Sequence, residues 1–171
     1  MRKALLVVDM LKDFINPDGA LFCGVQGQAI VPFIKEKIAQ FRLAGDVIIL
    51  ICDRHELDDL EFNRFPVHCI AGTAGAEVIE ELQFEGYDEN ITGKQRYSGF
   101  YNTDLDEQLE MIDEIAVVGV CTNICVFFTV EELCNRNKKV IVYRDGVASF
   151  DNEAHEYALK QMETVLGTEI K

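Results

Sequence analysis

The sequence predicts an α/β fold in which a mostly parallel sheet of about six strands carries helices on both faces. Short runs of β-branched and aliphatic residues alternate along the chain with amphipathic stretches of helical period, which is the pattern of repeated strand–helix–strand units. Most of these runs are apolar nearly throughout, as expected of strands covered on both faces. Ligands of such sheets bind at the carboxyl ends of the strands, and polar residues follow several of the runs.

The elements can be placed from these patterns and from glycine positions. The clearest helix repeats apolar residues at helical spacing from Ile30 to Phe41 and is ended by Gly45. Residues 53–73 show little periodicity, and a loop of that length in a small domain is usually functional or mobile. The predicted strands are 4–8, 47–52, 90–92, 115–118 and 140–143, and the predicted helices are 29–43, 76–82, 105–111, 124–135 and 152–162.

Length and charge narrow the class of protein. A chain of 171 residues is expected to form a single domain over residues 1–171. Its net charge of −14 disfavours a nucleic-acid partner, because it would repel phosphates. No apolar run suits an export signal or a membrane span, so we expect a cytoplasmic protein without a membrane partner. The six scattered cysteines then do not suggest a disulfide framework.

Cys125 is the first candidate for chemistry. It lies in the segment 119–125, GVCTNIC, which leaves an apolar strand and enters an apolar-periodic helix. With Asn123 as N-cap, Cys125 falls in the first helical turn, where the helix dipole and unpaired N–H groups favour the thiolate and can hold an oxyanion. By position alone, a buried small hydrophobic residue is an equally good interpretation.

Asp9 and Lys94 also follow predicted strands. Asp9 comes directly after the run 4–8, where an acidic side chain needs a partner or a cleft, although capping the next turn is its ordinary role. Lys94 follows the run 90–92 through Gly93, and its ordinary place is a solvated surface. If Lys94 lies beside Asp9 and Cys125, its charge favours a thiolate, and Asp9 can exchange protons with it.

The third group is a set of metal-ligand residues in the irregular segment. Asp53, His55 and His68 provide one carboxylate and two imidazoles, which suit a borderline divalent ion such as zinc, iron or manganese. Glu61, seven residues before His68, would add a direct or water-bridged contact to such an ion. A polar loop with two surface histidines is the alternative. The remaining histidine, His155, lies in the last predicted helix and is interpreted as structural.

Ordered motifs connect these residues to a known family. They resemble the isochorismatase-like cysteine hydrolases, and within that superfamily they are most similar to nicotinamidases, also called pyrazinamidases. The segment that ends at Glu77 is the most specific of them. The motifs are VDM at 8–10 with DF at 13–14, DRH at 53–55, FPVHCIAGTAGAE at 65–77, KQRYSGF at 94–100, GVCTNICV at 119–126 and DGVAS at 145–149.

The resemblance implies a role for each candidate residue. It implies a catalytic triad of Asp9, Lys94 and Cys125, and an oxyanion hole made by the backbone N–H groups of Cys121 and Cys125 beside a cis Val120–Cys121 peptide. One divalent ion, with zinc preferred over iron or manganese, would bind Asp53, His55 and His68, with Glu61 as an additional ligand. Phe14, Phe65 and Tyr97 would form the walls of the substrate pocket. Phe65 departs from the family, in which tryptophan is common there, and Lys94 lies only three residues before Tyr97, where many members carry an insertion.

The implied reaction is hydrolysis of nicotinamide to nicotinate and ammonia through a thioester on Cys125. The partner is then a small amide, and self-association into homo-oligomers is left open. Another hydrolase of the superfamily, acting on a carbamoyl or ureido compound or on isochorismate, is the nearest alternative, and Asp53, His55 and His68 argue against it. A non-catalytic or redox thiol protein is the alternative of a different class, and Asp9 and Lys94 argue against it.

Overall fold

One sheet of six parallel strands organises the chain. The computed structural model describes residues 2–171, and the strand order is β3-β2-β1-β4-β5-β6. The fold-class prediction is confirmed, and the five predicted strands are present. The sixth strand has only two residues, too few to show a pattern in the sequence. The strands are β1 Lys3–Val8, β2 Val47–Asp53, β3 Ile91–Lys94, β4 Glu114–Val120, β5 Lys139–Ala148 and β6 Glu169–Ile170.

Apolar residues cover both faces of the sheet, and β1 shows how. Leu5 and Val7 pack into one hydrophobic cluster with Ile34 and Ile38. Leu6 and Val8 pack into the cluster on the other face. Because successive side chains of a strand point to opposite faces, a strand between two helical layers must be apolar at every position.

Within residues 2–171, six α-helices, four 3₁₀ turns and one π-helical turn connect the strands. The predicted helix 29–43 is divided at Ile30, and its second part ends at Gly45, which has a φ of 70°. The helices are α1 Lys12–Ile15, α2 Val25–Ala29, α3 Val31–Ala44, α4 Leu105–Gln108, α5 Phe127–Asn135 and α6 Asn152–Thr164, with 3₁₀ turns at Leu60–Asn63, Ala74–Ala76, Glu80–Leu82 and Tyr87–Asn90 and a π-helical turn at Thr122–Val126.

The predicted helix over residues 76–82 is wrong. Val78 forms an isolated antiparallel bridge with Leu11. The N–H of Lys12 donates to the Glu77 carbonyl (2.9 Å), and the N–H of Ile79 donates to the Met10 carbonyl (3.1 Å). The segment after Asp9 therefore supplies backbone hydrogen-bond partners that an extended segment can use and a helix cannot. The apolar residues Val78, Ile79 and Leu82 are buried all the same.

Two further findings concern the chain as a whole. Across residues 2–171, no helix is long and apolar enough to cross a membrane. The six cysteines are all free thiols, five of them buried.

Candidate active site

The ends of four adjacent strands bring the candidate residues together. Asp9 follows the last residue of β1, Asp53 ends β2, and Lys94 ends β3 as the register partner of Asp53. Beyond β4, the chain continues through Cys121 into the π-helical turn that carries Cys125. Because the strands are parallel and adjacent, all these side chains lie at one edge of the sheet.

Lys94 lies at the centre of this cluster and is fully buried. Its Nζ is 2.8 Å from Asp9 Oδ2 and 3.4 Å from Cys125 Sγ, and it also donates to Asp53 Oδ1. Asp9 is held by a hydrogen bond from the Asp53 N–H to its Oδ1 (2.9 Å). One ammonium group therefore contacts two carboxylates and a thiol.

The charges of this cluster perturb one another strongly. Burial and the nearby Asp53 carboxylate together raise the pKa of Asp9 to about 6, although Lys94 opposes the shift. Burial disfavours the charged form of Lys94, but the carboxylates of Asp53 and Asp9 outweigh it and raise the pKa of this ammonium well above its usual value. Asp9 is thus a carboxylate that can accept and return a proton near neutral pH, beside a permanent positive charge.

Cys125 differs in two ways from its sequence-based description. The turn it occupies is π-helical and begins at Thr122, so Asn123 lies inside the turn instead of capping it, and its Oδ1 accepts a hydrogen bond from Ser149 Oγ (2.6 Å). The expected preference for the thiolate is also wrong for the resting site. Burial raises the pKa of the Cys125 thiol well above its ordinary value, and Lys94 only partly opposes this. The thiol needs a base to lose its proton, and Asp9 is adjacent to it.

The backbone around the turn has the form that the resemblance implies. The Val120–Cys121 peptide bond is cis. The Cys121 carbonyl accepts hydrogen bonds from the N–H groups of Ile124 (3.0 Å) and Val126 (3.2 Å). His155 lies on α6, and its Nδ1 is 2.8 Å from Thr122 Oγ1. This histidine therefore holds the first residue of the π-helical turn.

Asp53, His55 and His68 form a second cluster, and their ligand atoms lie within 4.8 Å of one another. Asp53 Oδ2 is 3.6 Å from His55 Nε2 and 3.9 Å from His68 Nε2, and Glu61 Oε1 is 4.0 Å from His68 Nε2. All four side chains are buried. Two ligands of a tetrahedral zinc ion lie about 3.4 Å apart, so each of these three distances would need to shorten by only a few tenths of an ångström.

The hydrogen bonds around the cluster also suit a metal. His55 Nδ1 is 3.0 Å from Asp59 Oδ2, and His68 Nδ1 is 2.7 Å from the Pro66 carbonyl oxygen, so both Nε2 atoms point into the cluster. Metal-binding histidines are commonly oriented in this way. His55 Nε2 and Glu61 Oε2 are buried without a hydrogen-bond partner, which is expected of ligand atoms. The residues therefore fit a divalent ion. Asp59 was missed from the sequence, although its position four residues after His55 was a usable signal.

A pocket opens onto both clusters and is lined by Asp9 and Cys125 of the first and by Asp53, Glu61 and His68 of the second. Phe14, Phe65 and Tyr97 all line it, as expected from the resemblance, and the ring centroids of Phe14 and His68 are 5.4 Å apart. Four further apolar residues that line the pocket were not predicted as lining from the sequence, because nothing in their spacing marks them. These are Leu21, Val120, Ile124 and Phe150.

Comparison with known proteins extends over essentially the whole chain. Residues 3–170 match the family described as the isochorismatase domain. Among solved structures, the chain is similar to nicotinamidase/pyrazinamidase PncA from Bacillus subtilis, at 34% identity and a TM-score of 0.93, with 99% of each chain covered. N-carbamoylsarcosine amidase from Thermoplasma acidophilum is 33% identical, with a TM-score of 0.90 and 100% and 96% of the two chains covered. Pyrazinamidase of Pyrococcus horikoshii in complex with zinc is 32% identical, with a TM-score of 0.90 and 100% and 99% covered.

Proposed function

The chain belongs to the isochorismatase family of hydrolases, and we propose that it hydrolyses the carboxamide of nicotinamide to nicotinate and ammonia. The observation that carries the proposal is the position of Lys94. Its ammonium contacts both the Asp9 carboxylate and the Cys125 thiol. These two groups line a pocket that Asp53 and His68 line as well. Nucleophile, base and cation are thus within contact distance before substrate enters.

In the proposed mechanism, Cys125 Sγ attacks the amide carbon while its proton passes to Asp9. Lys94 stabilises the developing thiolate, which offsets the burial that raises the thiol pKa. The N–H groups of Cys121 and Cys125 hold the tetrahedral oxyanion, an interaction typically worth ~3 kcal/mol of barrier for each donor. Asp9 returns the proton to the departing nitrogen, so ammonia leaves and a thioester remains.

The second half of the reaction uses the same groups. Asp9 accepts a proton from the water that attacks the thioester carbon. The carbon–sulfur bond then breaks, the acid is released, and Cys125 recovers its proton from Asp9. The pKa of Asp9, about 6, suits this alternation, because the carboxyl group must both take and give a proton in each half.

Asp53, His55 and His68 would hold a divalent ion, with Glu61 as a direct or water-bridged fourth contact. When bound, the ion supplies a Lewis acid for the ring nitrogen of the substrate, which orients the carboxamide. Zinc is the proposed metal, with iron and manganese as alternatives, and the zinc in the P. horikoshii pyrazinamidase supports this choice. Phe14, Phe65 and Tyr97 would enclose the ring.

Ammonia release from nicotinamide tests the proposal. Cys125→Ala is expected to lower kcat by at least about 10⁴-fold, whereas the control Cys134→Ala, at a thiol remote from the pocket, is expected to keep the parental rate. A chelator is expected to raise KM strongly, and zinc should restore it. Parental hydrolysis by Cys125→Ala would refute the nucleophile, and activity indifferent to the chelator would refute the metal.

A carbamoyl compound is the second candidate substrate. It is favoured by the similarity to N-carbamoylsarcosine amidase, which is close to that of the nicotinamidase structure in identity. Parallel assays with nicotinamide and an N-carbamoyl amino acid separate the two. We expect kcat/KM to favour nicotinamide, because Asp53, His55 and His68 give the pyridine nitrogen a partner. A cytoplasmic location and self-association stay predictions, which cell fractionation and sedimentation would test.

A further inference from the structure

Two cysteines meet beside the catalytic turn although they are far apart in the sequence. The sulfur atoms of Cys23 and Cys121 are 3.4 Å apart in the buried interior. Cys23 precedes α2, and Cys121 follows β4. The contact between the two thiols lowers the pKa of Cys23, whereas this contact and burial raise the pKa of Cys121 well above its ordinary value. Cys23 is therefore the better nucleophile of the two.

The two thiols differ in their access to the pocket. Cys121 is 8% exposed and lines the pocket, whereas Cys23 is 0% exposed and lies behind it. A small reagent entering the pocket therefore meets Cys121 before Cys23. Access therefore favours Cys121 as the thiol that a reagent oxidises first, and the lower pKa of Cys23 favours Cys23 as the thiol that resolves the product.

We propose that Cys23 and Cys121 are a redox-reactive pair that a hydroperoxide converts into a disulfide, and that this disulfide reversibly inhibits the enzyme. Cys121 sulfur attacks a peroxide oxygen, the O–O bond breaks, and the products are a Cys121 sulfenic acid and, from hydrogen peroxide, one water. Cys23 sulfur then attacks Cys121 sulfur. The S–O bond breaks, and the hydroxide leaves with the Cys23 proton as a second water. The two thiols are oxidised by two electrons, and the peroxide is reduced.

The inhibition follows from what Cys121 supports, and this half rests on the proposed function. A disulfide separates its sulfurs by about 2.05 Å, so closure requires ~1.3 Å of approach from the present 3.4 Å. The Cys121 carbonyl anchors the N–H groups of Ile124 and Val126 on either side of Cys125, so a shift of Cys121 is passed to the nucleophile. A misplacement of about 1 Å can cost ~100-fold in rate.

The disulfide is tested first without the nucleophile. Cys125→Ala is treated with hydrogen peroxide, digested under non-reducing conditions, and searched by mass spectrometry for a peptide pair joined through Cys23 and Cys121. We expect the pair, and we expect its loss on adding dithiothreitol and in Cys125→Ala combined with Cys23→Ala. Adding Cys134→Ser to Cys125→Ala should leave it unchanged. Oxidation of Cys121 to sulfinic acid without the linked pair would overturn the proposal.

Activity is tested separately in the parent and in Cys23→Ala, which should have equal activity when reduced. After equal peroxide exposure and removal of the peroxide, the loss of activity that dithiothreitol reverses is expected to be at least about tenfold larger in the parent. Equal reversible losses would overturn the inhibitory half, because oxidation of Cys125 would then explain them. If neither protein hydrolyses nicotinamide when reduced, the proposed function fails, while the linked peptide still decides the disulfide.

Discussion

Replacing Lys94 by methionine should show how much of the fold depends on the ammonium group at the centre of the site. Lys94 Nζ lies 2.8 Å from Asp9 and also contacts Asp53, and all three side chains are buried. Methionine keeps most of the volume but leaves two carboxylates without a cation. Removing one partner of a buried ion pair costs about 3–5 kcal/mol, and here one cation serves two carboxylates, so we expect the upper half of that range.

Urea denaturation of the parent and of Lys94→Met, both in excess chelator, measures this cost. The chelator matters because a divalent ion beside Asp53 would itself compensate the lost charge. With an m value of about 2 kcal/mol per molar urea, a loss of about 4 kcal/mol lowers the midpoint by ~2 M.

Lys139→Met is the matched control for this experiment. Lys139 is also paired with a carboxylate, that of Glu114 at 2.5 Å, but its side chain is 56% exposed. A pair of that kind contributes at most about 1 kcal/mol. Equal destabilisation by the two substitutions would refute the reasoning, because burial would then add nothing to the value of the Lys94 contacts.

Three further predictions concern the metal cluster, the pocket wall and Glu114 at the start of β4. Asp59→Asn should weaken zinc binding about 10–100-fold in a chelator competition, because Asp59 orients His55, and unchanged affinity would contradict this. Phe65→Ala should raise KM for nicotinamide about tenfold through lost ring contact, whereas Leu60→Ala, exposed and outside the pocket, should leave KM unchanged. Hydrogen bonds from lysines lower the Glu114 pKa from 4.5 to about 2, so the carboxylate stabilises the fold above pH 4.5 and this contribution fades as pH falls towards 2. The unfolding free energies of the parent and of Glu114→Gln, measured by urea denaturation, should then differ by about 1 kcal/mol at pH 6 and converge near pH 2.

The sequence predicted the sheet well because strand signals and strand ends are local. A continuous apolar run such as that of β1 is visible without knowledge of its neighbours. The residue after it is then placed at the functional edge by the parallel topology alone. This is why the sequence alone predicts that Asp9, Asp53 and Lys94 lie close together.

The errors arose where a distant partner decides the local structure. The segment around Val78 has helical spacing, but the backbone of Leu11 and its neighbours pairs with it and keeps it extended. Asparagine is a common N-cap residue, but Asn123 lies inside a π-helical turn. Its side chain accepts a hydrogen bond from Ser149 instead of capping a helix. The contact of Cys23 with Cys121 spans 98 positions of sequence. None of these long-range contacts leaves a periodic signal.

Asp53 explains why the two halves of the site cannot be considered separately. Its Oδ1 accepts from Lys94, its Oδ2 faces His55 and His68, and its N–H holds Asp9. A cation beside Oδ2 would draw charge away from the oxygen that pairs with Lys94 and so leave the ammonium freer to stabilise Cys125. Because Asp53 is fixed by its register with Lys94 in neighbouring strands, the chain cannot move it towards one cluster without loosening the other. The ring-binding and bond-breaking parts of the proposed reaction therefore depend on the same carboxylate.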